Sequence, residues 1–406
     1  MEQQREREQS TWQEPKRSRP LFSIGIVSYN QHEYIFQCID SILRQNYPAI
    51  EVIIADDHSY DFDREEIERY IEKHRKNNLV RYEVFSNEEN IGIVKNCNRC
   101  ISRMRGDYFK TIAADDMLYS NDVFAKMVRY MEEHNSKIVC GRAKAITHDG
   151  KPTQDLYPTD YDFNMISGMT AAEQYNFMLL RPWCPIFAPC IFMRRDFFEK
   201  MGGYDEQYTY TEDWPFWIRV TKAGEAIDFV DMLIIRYRYG GISNSGDNEF
   251  TINHLRARHY QECADLLRAE VPNLKEHGTW RQVLRCQYSA NAIEMRRELE
   301  FFWKDASFAH KLIFRMKKLP VLFYIKLMSA ITYRSRFHIR KECTSALVVG
   351  VLMQLGVNLF PWDNTGRWMA AIILLAIALI LMKLCANVIL TLLSLRADLK
   401  TRLLGK

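Results

Sequence analysis

The chain reads as an α/β protein with a Rossmann-like, mostly parallel sheet. Three observations predict this. Short apolar runs alternate with stretches of helical spacing up to residue 116, the pattern of βαβ units. Each run closes in polar or charged residues. Two of the runs close in paired acids, and open α/β sheets bind ligands outside the carboxyl ends of their strands.

In order, Leu21–Tyr29 is a buried strand. Glu33–Leu43 carries Tyr34, Ile35, Cys38, Ile39 and Ile42 at helical spacing. Glu51–Ala55 is a second strand, closed by Asp56, Asp57, His58 and Ser59. Asp63–Arg75 is a charged amphipathic helix. Val80–Ser86 is a third strand and Ile93–Met104 a third helix, broken at Gly106. Tyr108–Ala114 is a fourth strand and ends in Asp115 and Asp116. Beyond it the pattern mixes a helix near 123–133, a strand near 137–140 and a loop rich in Asp, Tyr and Pro near 150–165. From Asn253 to Phe302 the composition is helical.

Formal net charge is only +4 over 406 residues, which excludes a nucleic-acid polycation. The average hides a gradient: Lys311–Lys341 holds nine Lys and Arg and no acid. The ten cysteines form no framework. Cys97 and Cys100 make a lone C-x-x-C without a second pair at zinc spacing. Scattered thiols suit a reducing compartment, and the polar first twenty residues lack a secretory h-region.

Cys343–Phe360 and Trp368–Leu395 are apolar runs split by Pro361–Arg367. A membrane span needs ~20 such residues. Both outer flanks are basic, so the expected hairpin has both ends in the cytoplasm. Lys383 opposes this reading, since a mid-bilayer Lys costs ~3 kcal/mol; a buried hairpin of a soluble domain is the alternative. The expected organisation is a polar tail (1–20), a catalytic domain (21–245), a basic helical region at the membrane interface (246–340), two spans (341–395) and a basic tail (396–406). With this topology the α/β domain is expected on the cytoplasmic face of the membrane.

Ser28, Tyr29 and Asn30 end the first strand, Asp56 and Asp57 the second, Asp115 and Asp116 the fourth. A later pair, Glu212 and Asp213, precedes Trp214. Each pair alone reads as turn or cap chemistry. Gathered around one frame, such carboxylates suit a divalent cation, and Tyr29 could stack on a nucleobase. No G-x-G-x-x-G follows the first strand and no P-loop is present, which leaves a metal to hold a nucleotide diphosphate.

The segments SIGIVSYNQHEYIFQCIDSILRQNY, EVIIADDHS, NEENIGIVKNCNRCISRMRGDYFKTIAADD and MGGYDEQYTYTEDWPFWIRV resemble glycosyltransferase family 2, the inverting GT-A enzymes, across residues 22–220. The resemblance implies a GT-A domain using Mg²⁺ or Mn²⁺ and a nucleotide-sugar donor, a UDP-sugar first. Ser28, Tyr29, Asn30, Asp56, Asp57 and Asp115 would hold the nucleotide. Asp116, with Asp115, would bind the metal. Asp213, flanked by Glu212, would be the catalytic base, while Arg238, Trp214 and Gly203 would contact phosphate or acceptor. The expected acceptor is a lipid-linked or cell-surface polysaccharide precursor, and the oligomeric state is open. There are departures. Ala113 replaces the first acid of D-x-D-D, Cys97 stands before Asn98 where the family often has Arg, and the late His near Tyr237–Ser243 is missing. Q-x-x-R-W is also absent, since Cys286 follows Gln282-Val-Leu-Arg285; this implies addition of one sugar rather than a polymer. The alternatives are a catalytically impaired scaffold of the same fold and a metal-dependent nucleotidyltransferase.

Overall fold

The computed structural model describes residues 20–239, 250–298 and 301. The chain divides into two compact units, Met1–Arg297 and Glu298–Lys406, and the sheet lies in the first. The polar tail before residue 20, the basic stretch 311–341, the apolar hairpin 341–395 and the basic tail 396–406 fall outside the described residues. Among those described, no helix is long and apolar enough to cross a membrane.

The elements are β1 (Phe22–Ser28), α1 (His32–Leu43), β2 (Ile50–Asp56), α2 (Arg64–His74), β3 (Leu79–Ser86), α3 (Ile93–Ile101), β4 (Tyr108–Ala113), β5 (Met117–Leu118), α4 (Val123–Glu133), β6 (Ile138–Ile146), β7 (Pro152–Tyr157), α5 (Asp160–Ile166), α6 (Ala171–Leu179), β8 (Ile191–Arg194), α7 (Arg195–Lys200), α8 (Asp213–Lys222), β9 (Asp228–Arg238), α9 (Phe250–His277) and α10 (Trp280–Arg297). The strand order is β3-β2-β1-β4-β8-β6-β9-β5, with β7 paired to β6. β1, at the centre of the parallel half, is buried on both faces, as strands with helices on both sides are.

The sheet is mixed rather than mostly parallel. β1–β2, β1–β4, β2–β3 and β6–β9 run parallel. β4–β8, β5–β9, β6–β7 and β6–β8 run antiparallel. Strand direction depends on how the chain returns to the sheet, which the alternation of apolar runs does not encode. The stretch 150–165, expected as loop, contains β7 and α5. β7 is a mostly exposed hairpin strand, so it lacks the apolar run that marks a buried one. α5 is capped by Thr159, whose hydroxyl accepts from Asp162 N at 3.1 Å.

The helical tail breaks at Gly278–Thr279. There Gln282 Oε1 accepts from Thr279 N at 2.7 Å and Thr279 Oγ1 accepts from Gln282 N at 3.3 Å, a capping box. Cys263, Leu266 and Leu267 of α9 join the same core as Trp214 and Trp217 of α8.

Gly25 in β1 lets α3 approach the sheet. A Cβ there would collide with Cys100 Sγ and Met104 Cε. Gly25→Val should therefore cost at least ~1–3 kcal/mol, as overpacked cores do. A lowered denaturation midpoint in urea checks this; an unchanged midpoint would contradict the packing.

Candidate active site

β1, β2 and β4 are parallel neighbours, so Ser28, Asp56 and Asp115 all emerge at one edge of the sheet. Asn30 (φ 53°) and His58 (φ 65°) both take the left-handed region there, turning the chain after β1 and β2. Asn30 N donates to Ser59 Oγ at 2.7 Å. Ser28 is buried and its carbonyl accepts from Asp57 N at 2.9 Å. Tyr29 is 44% exposed and Tyr60 is 87% exposed, so two aromatic rings stand free at this edge.

Asp56 and Asp57 are buried and occupied. Asp56 Oδ2 accepts from Ser59 N and Ser86 Oγ, both at 2.8 Å, and Oδ1 from Ser59 Oγ. Asp57 Oδ1 accepts from Asn87 Nδ2 at 2.8 Å and Ile91 N at 2.9 Å, and Oδ2 from Gly92 N at 2.9 Å. Asn87 also donates to Asn96 Oδ1 at 3.0 Å. Asp57 thus fixes the 87–92 loop and the start of α3. Both carboxylates are held by these donors and buried in this conformation.

Asp115 and Asp116 form a second cluster with Arg238 at the end of β9. Arg238 N donates to Asp116 Oδ1 at 2.9 Å and Arg238 Nε to the Asp115 carbonyl at 3.0 Å. The other two guanidinium nitrogens donate to the His148 carbonyl (2.6 Å) and Gln37 Oε1 (2.9 Å). The guanidinium also lies 4.4 Å from the Tyr34 ring centroid. Arg238 therefore braces the acid pair. Asp116 is 1% exposed, and its Oδ2 is buried without a hydrogen-bond partner. Burial, then the adjacent Asp115 charge, holds its carboxyl well above the ordinary range. Burial also raises Asp115. Lys110 is buried in β4 and donates to the Thr111 and Pro189 carbonyls at 2.6 and 2.8 Å; burial pushes it down to about 8.

A buried carboxylate oxygen with no donor fits a hard cation. Among the described residues no group of three or more His, Cys, Asp or Glu could hold one. Asp116, with Asp115 beside it, would therefore share the ion with substrate phosphates and water, the usual mode for Mg²⁺.

Glu212 and Asp213 open α8. Asp213 Oδ1 accepts from Trp214 N at 2.6 Å, and both acids are partly exposed. Burial and then the Asp213 charge push Glu212 up to about 8. Burial also raises Asp213, against the opposing pull of Trp214 N and His259. Trp214 itself is buried in the core. Gly203 (φ 70°) shapes the loop before the pair, and Arg219 donates to its carbonyl.

Sequence reasoning did not assign Gln37, Asn87, Asn98, His259 or Glu262. Asn98 Nδ2 donates to the Tyr204 carbonyl at 2.9 Å and its Oδ1 accepts from Tyr204 N at 3.0 Å, tying α3 to the glycine loop. Cys97 and Cys100 are buried free thiols.

Residues 23–202 match the pattern of Glycosyl transferase family 2. The matched segment, 23–202, belongs to glycosyltransferase family 2. An uncharacterized glycosyltransferase of Haemophilus influenzae is 27% identical over 235 residues, covering 56% of this chain and 68% of that protein. One of Rickettsia bellii is 26% identical over 262 residues, covering 63% of this chain but 34% of its own length. Among solved structures, the mannosyltransferase PcManGT of Pyrobaculum calidifontis covers 89% of this chain and 86% of that one, at 14% identity and a TM-score of 0.48. The family 2 segment includes Asp57 and Asp116. Glu212, Asp213, Arg238 and α9 lie C-terminal to it.

Asp57→Ala should free the loop it holds. Amide exchange at Ile91 and Gly92 should quicken at least about tenfold, the equivalent of ~1.4 kcal/mol for a lost charged acceptor. Unchanged protection of both amides would show that Asp57 does not anchor the loop.

Proposed function

We propose that this chain transfers one sugar from a nucleotide-diphosphate sugar to an acceptor hydroxyl, with inversion at the anomeric carbon. The observation that carries this reading is the pair of separate acid clusters in one domain. Asp116 keeps a buried, unpartnered oxygen, while Asp213 is a partly exposed carboxylate held at a helix N-terminus. The first suits a cation and the second suits a base.

Tyr29, and Tyr60 beyond it, offer faces for a nucleobase. Asp115 and Asp116 would hold Mg²⁺ or Mn²⁺. When bound, the cation neutralises charge on the leaving nucleoside diphosphate. Asp213 takes the proton from the acceptor hydroxyl, whose oxygen then attacks the anomeric carbon from the face opposite the diphosphate. The bond from that carbon to the diphosphate oxygen breaks, and the electron pair leaves with the nucleotide. Burial and the neighbouring Asp213 charge raise Glu212, which favours a single negative charge on the pair, read here as carried by Asp213. A lipid-linked saccharide acceptor at a bacterial inner membrane fits the apolar C-terminal sequence.

A panel of nucleotide sugars assayed with Mn²⁺ tests the reading. Asp213→Asn should lower kcat at least ~100-fold with little change in donor KM, the size expected for loss of a general base. Asp116→Asn should abolish stimulation by Mn²⁺. Retained activity in Asp213→Asn would assign the base elsewhere, and a wild-type chain inert towards every donor would favour the scaffold reading.

The pH profile gives a second check. Asp213 acts as the carboxylate, so activity should rise with pH as it ionises. Its carboxyl is raised, so the acid limb of kcat/KM should lie above the usual carboxylate range near ~4. A limb at or below ~4 would rule out Asp213 in this environment.

A further inference from the structure

α9 starts beyond the family 2 segment, yet it reaches back to the loop that delivers the second acid pair. Glu262 accepts from Thr209 N and Tyr210 N, both at 2.9 Å. His259 Nδ1 lies 3.0 Å from the Tyr210 carbonyl and 3.0 Å from Thr211 Oγ1. An Nδ1–H donates to that carbonyl, leaving Nε2 3.6 Å from Cys263 Sγ. Residues 259, 262 and 263 are spaced i, i+3, i+4 and share one face of the helix.

The opposite side of the loop is closed as well. A Cβ at Gly92 would come within 2.8 Å of Thr209 Cγ2, and Gly92 N is the group that Asp57 holds. Residues 209–211 are thus gripped between α9 and the Asp57 loop. Thr211 is 1% exposed, and the next two residues are Glu212 and Asp213.

We propose that Glu262 and His259 are positioning residues for the Asp213 base, setting the place and direction from which α8 presents its carboxylate. The proposal rests on the reading of Asp213 as base. Two backbone N–H groups, one carbonyl and one hydroxyl in consecutive residues are all engaged by one helix face. The titratable and charged groups near the acid pair are His259, Glu262 and Cys263 of α9, Cys97 of α3, Cys184 after α6, and Tyr204 of the glycine loop. Arg258 stands over the Tyr210 ring at 5.9 Å. Burial opposes the His259 imidazolium, but Cys263, Asp213 and the Tyr210 carbonyl favour it and raise it to about 10. A cationic ring there favours the ionised acids.

The test uses the full chain with the donor and acceptor that support turnover. Steady-state rates and pH profiles are measured for His259→Ala, His259→Asn, Glu262→Ala and Asp213→Asn. Glu262→Ala should lower kcat about 10- to 100-fold, as a misplaced group does, with donor KM within about twofold. His259→Ala should lower kcat and also move the acid limb to higher pH, because the charge that favours ionised Asp213 is gone. His259→Asn, which can still donate to the Tyr210 carbonyl, should recover most of kcat but leave the limb displaced. The proposal is overturned if His259→Ala and Glu262→Ala keep the wild-type kcat and acid limb while Asp213→Asn is inactive. It is overturned too if their donor KM rises in step with the loss of kcat, the mark of a disturbed donor site, or if the loss of kcat is matched by an equal loss of folded protein in a thermal melt. An active Asp213→Asn would remove the base reading itself, a result distinct from either.

Discussion

The architecture of this edge follows from the cost of taking carboxylates out of water. A buried charge without partners costs far more than one hydrogen bond returns. Each buried acid here has therefore recruited donors, and those donors define the loops. Asp56 gathers Ser59 and Ser86. Asp57 gathers Asn87, Ile91 and Gly92. Glu262, although only partly buried, likewise gathers two consecutive amides. The loops that frame the site have their shape because backbone N–H groups converge on fixed negative charges.

Asp116 is the exception. One oxygen is satisfied by the Arg238 amide; the other has no partner. Arg238 lies beside it but spends its guanidinium on two carbonyls and Gln37. The guanidinium thereby fixes where the acid stands without neutralising it directly. The surrounding bonds make that deficit tolerable.

The two acid clusters differ in a way that suits different tasks. The Asp115–Asp116 pair is buried and rigidly braced from β9. The Glu212–Asp213 pair sits at a helix start, partly exposed, on a loop gripped from two sides. The bracing of the second comes largely from α9, a helix outside the family 2 segment. A domain boundary drawn from composition at residue 245 passes between the acid pair and the helix face that holds its loop.

The first four strands and the helices between them were legible in the sequence because apolar period and break residues are local signals. The acids at strand ends were legible for the same reason: charge at the end of an apolar run is conspicuous. Which acids stay open was not legible. Asp57 and Asp116 look alike in sequence, yet both Asp57 oxygens are bonded by a loop more than thirty residues away while Asp116 keeps a bare oxygen. Arg238 was expected at phosphate or acceptor; that it also meets Asp116, 122 residues earlier in the chain, shows only once β9 is in place. The antiparallel half of the sheet and the reach of His259 and Glu262 were likewise decided only by tertiary packing. Hydrogen-bond partners that lie far apart in sequence leave no periodic trace; only the folded backbone brings donor to acceptor and settles which charges remain unmet.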